Sequence, residues 1–155
     1  MFATEHVCLH NLTVPAAGLR DGRNAALYLD RTGRGGGTPG VNDLLFTISY
    51  SGTVQVNSGD GIGFTGPDPG GHAIARHQAG SNWDAEFQIS STTIKDWWSR
   101  KIGLAVAEQG VNAPGDNFGW ATGFSYLIPD SWGEANLTGL GNPPTIYLPF
   151  LIRGS

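Results

Sequence analysis

Five aspartates, Asp30, Asp43, Asp60, Asp68 and Asp116, lie in or at the edges of glycine-rich stretches. A carboxylate in such a loop has two chemical uses. Together with backbone carbonyls it can supply some of the six to eight oxygens that calcium takes. Alone, it accepts hydrogen bonds from the amides of its own turn. Asp30, Asp43 and Asp60 are the calcium candidates by position. Two tryptophans pose a similar choice. Trp120 and Trp132 stand in GDNFGWATGFSYLIPDSWGEANL, residues 115 to 137, among carboxylates and amides and with no helical or strand period. A pyranose ring needs a flat apolar face for its C–H groups and polar partners at the rim for its hydroxyls. Trp120 and Trp132 with Asp116 and Asn117 offer that combination and form the expected ligand set. The same rings could instead plug the open end of a small β domain.

Other chemistry finds less support. Glu86, on the polar side of an alternating stretch, is the best placed general acid or base, but no partner carboxylate at a glycosidase separation can be read from sequence. The chain is expected to be non-enzymatic. His6 and His10 share a strand face roughly 13 Å apart, too far for one ion, and His72 and His77 would point to opposite faces. GGGTPG (35–40) and GIGFTG (61–66) fit the dinucleotide glycine spacing, but neither opens a helix as a phosphate site requires, so no nucleotide is expected. Cys8 is alone, which excludes an intrachain disulfide and a cysteine-based metal knuckle.

The elements that must carry these residues are strands. The chain has 155 residues, enough for one domain with a core, and contains 24 glycines and nine prolines. Charged residues make up 14%, against about 25% in average proteins. Net charge is -4 and the basic residues form no stripe, so nucleic acid is not expected as a partner. No apolar run is long enough to span a membrane. Alternation marks strands at 6–13, 25–30, 44–50, 54–56, 83–90 and 101–108, with Ser51-Gly52-Thr53 turning a hairpin. In the cleanest of these, Trp83, Ala85, Phe87 and Ile89 share the core face. Residues 91–99 are expected to form a short helix bringing in Trp97 and Trp98. Long glycine-rich linkers at 31–42, 57–71 and 109–123 are expected to be functional or tied down by an ion. Residues 1–138 read as a β-sandwich domain, and 139–155 as a C-terminal linker and tail strand that Pro149 confines to an edge.

The order LYLDRTGRGGGTPGVNDLLFTI (27–48), GDGIGF (59–64), NWDAEFQIS (82–90), RKIGLAV (100–106), GDNFGW (115–120) and SWGEANL (131–137) resembles family 9 carbohydrate-binding modules, over residues 27 to 137. The resemblance implies an all-β, antiparallel, jelly-roll-like sandwich related to DOMON domains, with long glycine-rich loops and at most one or two short helices. It further implies a secreted, extracellular bacterial setting among neighbouring domains, calcium as a structural ion, and tryptophans that bind carbohydrate. Haem, which DOMON cytochromes hold with Met and His, is not expected, because the only methionine is Met1. Such domains begin with strands ahead of HVCLHNL, so either the first strands are missing here or the domain is a shortened variant. The rival expectation is a structural or adhesive module with no small ligand; a third is a glycan-active jelly-roll enzyme.

Overall fold

A computed structural model describes residues 6–14, 24–79, 82–90, 93–94, 101–109, 118–120, 123–136 and 145–151. Within them the chain forms β1 (His6–Val14), β2 (Asn24–Asp30), β3 (Asp43–Ser49), β4 (Val54–Ser58), β5 (His72–Ala79), β6 (Asn82–Ser90), β7 (Lys101–Gln109), β8 (Phe118–Trp120), β9 (Gly133–Asn136) and β10 (Thr145–Leu151). One sheet has the order β10-β1-β6-β5, and the other runs β4-β3-β2-β7-β8 with β9 also on β7. Among the described residues a 3-10 turn spans Pro129–Ser131. The expected all-β sandwich is therefore present, and its strand pairs are antiparallel except β1 with β10, which run parallel.

The core follows from the alternation. Ala25, Leu27 and Leu29 on β2 meet Leu44, Phe46 and Ile48 on β3 and Ile102, Leu104 and Val106 on β7. Ala85, Phe87 and Ile89 of β6 close this cluster from the opposite sheet. Burying these aliphatic and aromatic side chains, at about 1.5–3 kcal/mol each, is what holds the two sheets together. The hairpin from β3 to β4 turns at Gly52, whose φ of 88° suits a residue without Cβ. Gly52 N donates to Ser49 O at 2.9 Å and Ser49 N to Thr53 O at 2.9 Å, closing the turn.

The weak alternation of β1 has a local cause. Leu9 pairs with Phe87 but Leu12 pairs with Ala85, so β1 carries one extra residue between them. This bulge brings positions 7, 9, 12 and 14 opposite Ile89, Phe87, Ala85 and Trp83, which a strict period of two could not do. β10 has its own irregularity. His10 pairs with Tyr147 and Leu12 with Phe150, leaving the extra residue in the Leu148–Pro149 stretch. Pro149 has no amide to donate, and β10 lies at the sheet edge where that omission is tolerated. The C-terminal segment, set apart in the sequence as linker and tail, thus contributes a strand to the four-stranded sheet. The expected helix at 91–99, with Trp97 and Trp98, lies outside the described residues apart from Thr93 and Ile94, which form a turn.

Candidate functional site

β2 is buried on both faces, and the second face organises the site. Ala26, Tyr28, Ala105 and Ala107 turn away from the main core, and Trp132 packs over them with Leu45, Phe64 and Phe124. The Tyr28 ring centre lies 5.6 Å from Trp132, 5.8 Å from Phe64 and 5.9 Å from Phe124. Phe64 stacks on Trp132 at 6.3 Å and 19°. These rings arrive on loops. Phe64 comes from the β4–β5 connection, while Phe124 and Trp132 come from the segment between β8 and β9.

That segment lies within the aperiodic stretch 115–137, whose lack of period now has an explanation. β8 pairs with residues 106–108 of β7 and β9 with residues 101–104, end to end along the same edge. The chain between them leaves the sheet and folds over its outer face. It is pinned by Ser131, whose Oγ accepts from Ser125 N at 2.7 Å and donates to Ile128 O at 2.7 Å. The Trp132 indole donates Nε1–H to Ser125 O at 2.9 Å. With 7% of Trp132 exposed, no open ring face remains for a sugar to stack on. Of the two expected roles for this ring, the geometry is that of a cap.

The expected calcium ligands are spent on their own loops. Asp30 is 1% exposed. Its Oδ1 accepts from Thr32 N (2.8 Å), Thr32 Oγ1 (2.7 Å) and Gly33 N (3.0 Å), and its Oδ2 from Gly35 N (2.7 Å). Asp60 Oδ1 accepts from Ile62 N at 2.9 Å and Gly63 N at 2.8 Å, and Oδ2 accepts from Thr65 Oγ1. These bonds, Thr65 first, hold the exposed Asp60 carboxyl down at about 2. Asp43 Oδ2 accepts from Gly40 N at 2.7 Å. A cation needs oxygens converging on it, and the Asp30 and Asp60 carboxylates instead face N–H and O–H donors on both oxygens. Among the described residues no three His, Cys, Asp or Glu side chains group as a metal site. Asp30, Asp43 and Asp60 therefore do not fit a calcium shell.

Asp30 and Asp43 are directly opposite one another across β2 and β3. Burial and, less strongly, the Asp30 charge push the Asp43 carboxyl up to about 6 against the pull of the Gly40 amide and Arg31. A folded-state value above the unfolded one means that the ionised form is the disfavoured one. Stability from this group therefore grows as pH falls through 6 toward 4 and is lost as pH rises through 6. The expected result is about 1 kcal/mol more stability at pH 5 than at pH 7.5, a difference missing in Asp43→Asn. Urea titrations of both proteins at the two pH values check it. Equal pH dependence in both would remove Asp43 as the cause.

A cavity of about 180 Å³ opens beside Trp132. Asp30, Arg34, Ile102, Asp130, Trp132 and Glu134 contribute to its wall. The Asp30 cradle shapes one side by fixing the loop after β2, where Gly33 (φ 60°) and Gly35 (φ 66°) take the left-handed conformation. A Cβ on Gly33 would overlap the Lys101 backbone oxygen, and one on Gly35 the Asp130 carboxylate. The loop is tied down at its far end too. Gly36 N donates to Asp130 Oδ1 at 2.8 Å, and Asp130 N donates to Gly36 O at 3.1 Å. Beside the cavity, Glu134 Oε1 pairs with Lys101 Nζ at 2.8 Å. At this volume, below the 300–1,000 Å³ of drug-sized sites, the cavity has room for one ring with polar partners on several sides.

Of the expected ligand set, the structure brings the margin of Trp132 to this cavity. Trp120 lies on β8, paired with Val106, and its side chain is outside the described residues, as are Asp116 and Asn117. The core position expected for the Trp83 ring is likewise outside them. Glu86, half-buried on β6, accepts from Gln88 Nε2 at 3.0 Å and does not line the cavity. Arg34 was not expected in a binding role and Asp30 was expected only as a calcium ligand, whereas Asp130 and Glu134 belong to the carboxylates noted beside Trp120 and Trp132 as polar partners. The run of glycines at 33 and 35–37 around Arg34 was the available signal, since such spacing marks a loop forced into positive φ.

No protein-family model matches the sequence. No curated protein matches it either. Among solved structures, the fold is similar to a carbohydrate binding module of family 9 from Caldicellulosiruptor kristjanssonii in complex with cellotriose. The TM-score is 0.58 at 13% identity, covering 89% of this chain and 66% of that one. A second structure of a family 9 module from the same organism, in complex with glucose, gives a TM-score of 0.58 at 13% identity, covering 79% and 62%. The chain thus spans less than two thirds of the length of the structures it matches. In fold, this chain resembles the family 9 carbohydrate-binding modules.

Proposed function

We propose that the chain is a non-catalytic carbohydrate-binding module that takes a sugar ring in the cavity between the loop after β2 and the Pro129–Glu134 segment. The observation that carries the reading is the cavity itself: a fixed loop, an apolar margin from Trp132 and Ile102, and carboxylate and guanidinium groups that sugar hydroxyls can engage. The fold neighbours, solved with cellotriose and with glucose, add support. Of the cavity carboxylates, Asp30 is engaged by its own loop and Glu134 by Lys101, so no free pair faces a ring, which favours binding over hydrolysis. The reading extends to a secreted, extracellular module attached to neighbouring domains, for which the sequence resemblance is the support.

Trp120, on β8 opposite Val106 and apart from the residues that border the cavity, is proposed as a separate stacking ring for a longer glucan chain. Trp120→Ala should then weaken retention on glucan by about 1 to 2 kcal/mol, a five- to thirtyfold loss, with little change in melting temperature. Affinity electrophoresis through soluble glucan, paired with thermal melts, checks both. A protein that Trp120→Ala unfolds would show that ring to be a core residue, and a wild type unretarded by any glucan would defeat the binding reading.

A further inference from the structure

We infer that Arg34 is the specificity-determining residue of the cavity, clamping a vicinal diol of an uncharged sugar between its guanidinium and the Asp130 carboxylate. The inference rests on the carbohydrate-binding reading above. Three observations carry it. The first is rigidity: Arg34 sits between two left-handed glycines, on a loop that Asp30 holds at Thr32, Gly33 and Gly35 and that Asp130 holds at Gly36. The backbone at this position is therefore held in place, and Arg34 is an exposed residue on the cavity wall.

The second is that this guanidinium is unspent. Arg31 donates to Val41 O and Asn42 Oδ1, each at 3.2 Å, and Lys101 is paired with Glu134. Arg34 has no hydrogen bond or ion pair among the described residues. The third is the acceptor nearby. Asp130 uses Oδ1 for Gly36 N, and its Oδ2 has no bond among the described residues. A hydroxyl both donates and accepts, so adjacent hydroxyls can accept from the guanidinium fork and donate to the carboxylate, each bond strengthening the next. A sugar carboxylate would meet Arg34 but also the negative charges of Asp30, Asp130 and Glu134, of which only the last has a lysine beside it. The cavity therefore favours a neutral ring over a uronate.

Isothermal titration of wild type, Arg34→Gln and Arg34→Lys with cellotriose, glucose and oligogalacturonate tests this. Wild type should bind the neutral sugars and not the uronate. Arg34→Gln should lose about tenfold or more in affinity, and Arg34→Lys should fall between them because an ammonium keeps charge but not the fork. Melting temperatures should be unchanged, since the side chain is exposed and unpaired. Undiminished cellotriose and glucose binding by Arg34→Gln would overturn the role of Arg34 while leaving sugar binding intact. Preference for the uronate would overturn the neutral diol. Binding of none of the three by wild type would overturn the carbohydrate reading and this inference with it.

Discussion

Trp132→Ala is expected to destabilise the fold by about 3 to 5 kcal/mol, the range for truncating a large buried aromatic. The ring packs on Tyr28 and Phe64, and its indole N–H satisfies Ser125 O, so the substitution removes packing and a hydrogen bond together. Domains of this size are stable by about 5 to 15 kcal/mol, so the loss is a large part of the total. Denaturant unfolding of the variant measures it. Trp132→Phe should recover part of the packing but not the bond to Ser125. A Trp132→Ala protein of unchanged stability with lost glucan binding would return this ring to the role of sugar platform.

Asp30→Ala is expected to be nearly as damaging, at about 3 kcal/mol, because one buried carboxylate accepts four hydrogen bonds and its removal strands the amides of Gly33 and Gly35. Two further readouts follow from the geometry. The loop after β2 should open, so the amides of Gly33 and Gly35 should exchange with solvent much faster than in wild type. The Asp43 carboxyl, relieved of the charge opposite it, should move back toward the ordinary carboxylate range. Slow exchange at both glycines in the variant would show that Asp30 does not hold the loop.

The two expectations also mark how far the sequence could be read. β2, β3, β6 and β7 were legible because Leu27, Phe46, Phe87 and Leu104 fall on a period of two, and the core face follows from it. What alternation cannot show is a sheet covered on both sides. Ala26, Tyr28 and Ala107 are unremarkable as a second face until loops carrying Phe64, Phe124 and Trp132 lie over them. These contacts join residues far apart in the chain, and no local pattern encodes them. The bulge in β1 and the split pairing of β8 and β9 along β7 were hidden for the same reason, since each breaks the period that would reveal it.

The candidate site was legible in composition and not in geometry. The aspartates at 30 and 60, one at the edge of a glycine-rich stretch and one within it, read equally as calcium ligands or as turn acceptors, because both uses ask for a carboxylate in a flexible loop. The structure distinguishes them by what faces the oxygens, which is N–H and O–H donors in each case. Trp132 was ambiguous for a related reason: a ring in a glycine-rich loop is displayed or buried according to where the loop folds. Arg34 drew no attention because a lone arginine among glycines has no motif. Its place emerges only when Asp30 and Asp130, 100 residues apart in sequence, are found holding the same loop.

The most direct test of the central claim is a titration of isotope-labelled protein with cellotriose, followed by backbone amide resonances. Sugar binding in the cavity predicts saturable shifts at Gly33, Arg34, Gly35, Gly133 and Glu134, which border it, with Ala73, Ala75 and Gln88 on the other sheet unmoved. Shifts confined to that other sheet, or none at all up to millimolar sugar, would contradict the account.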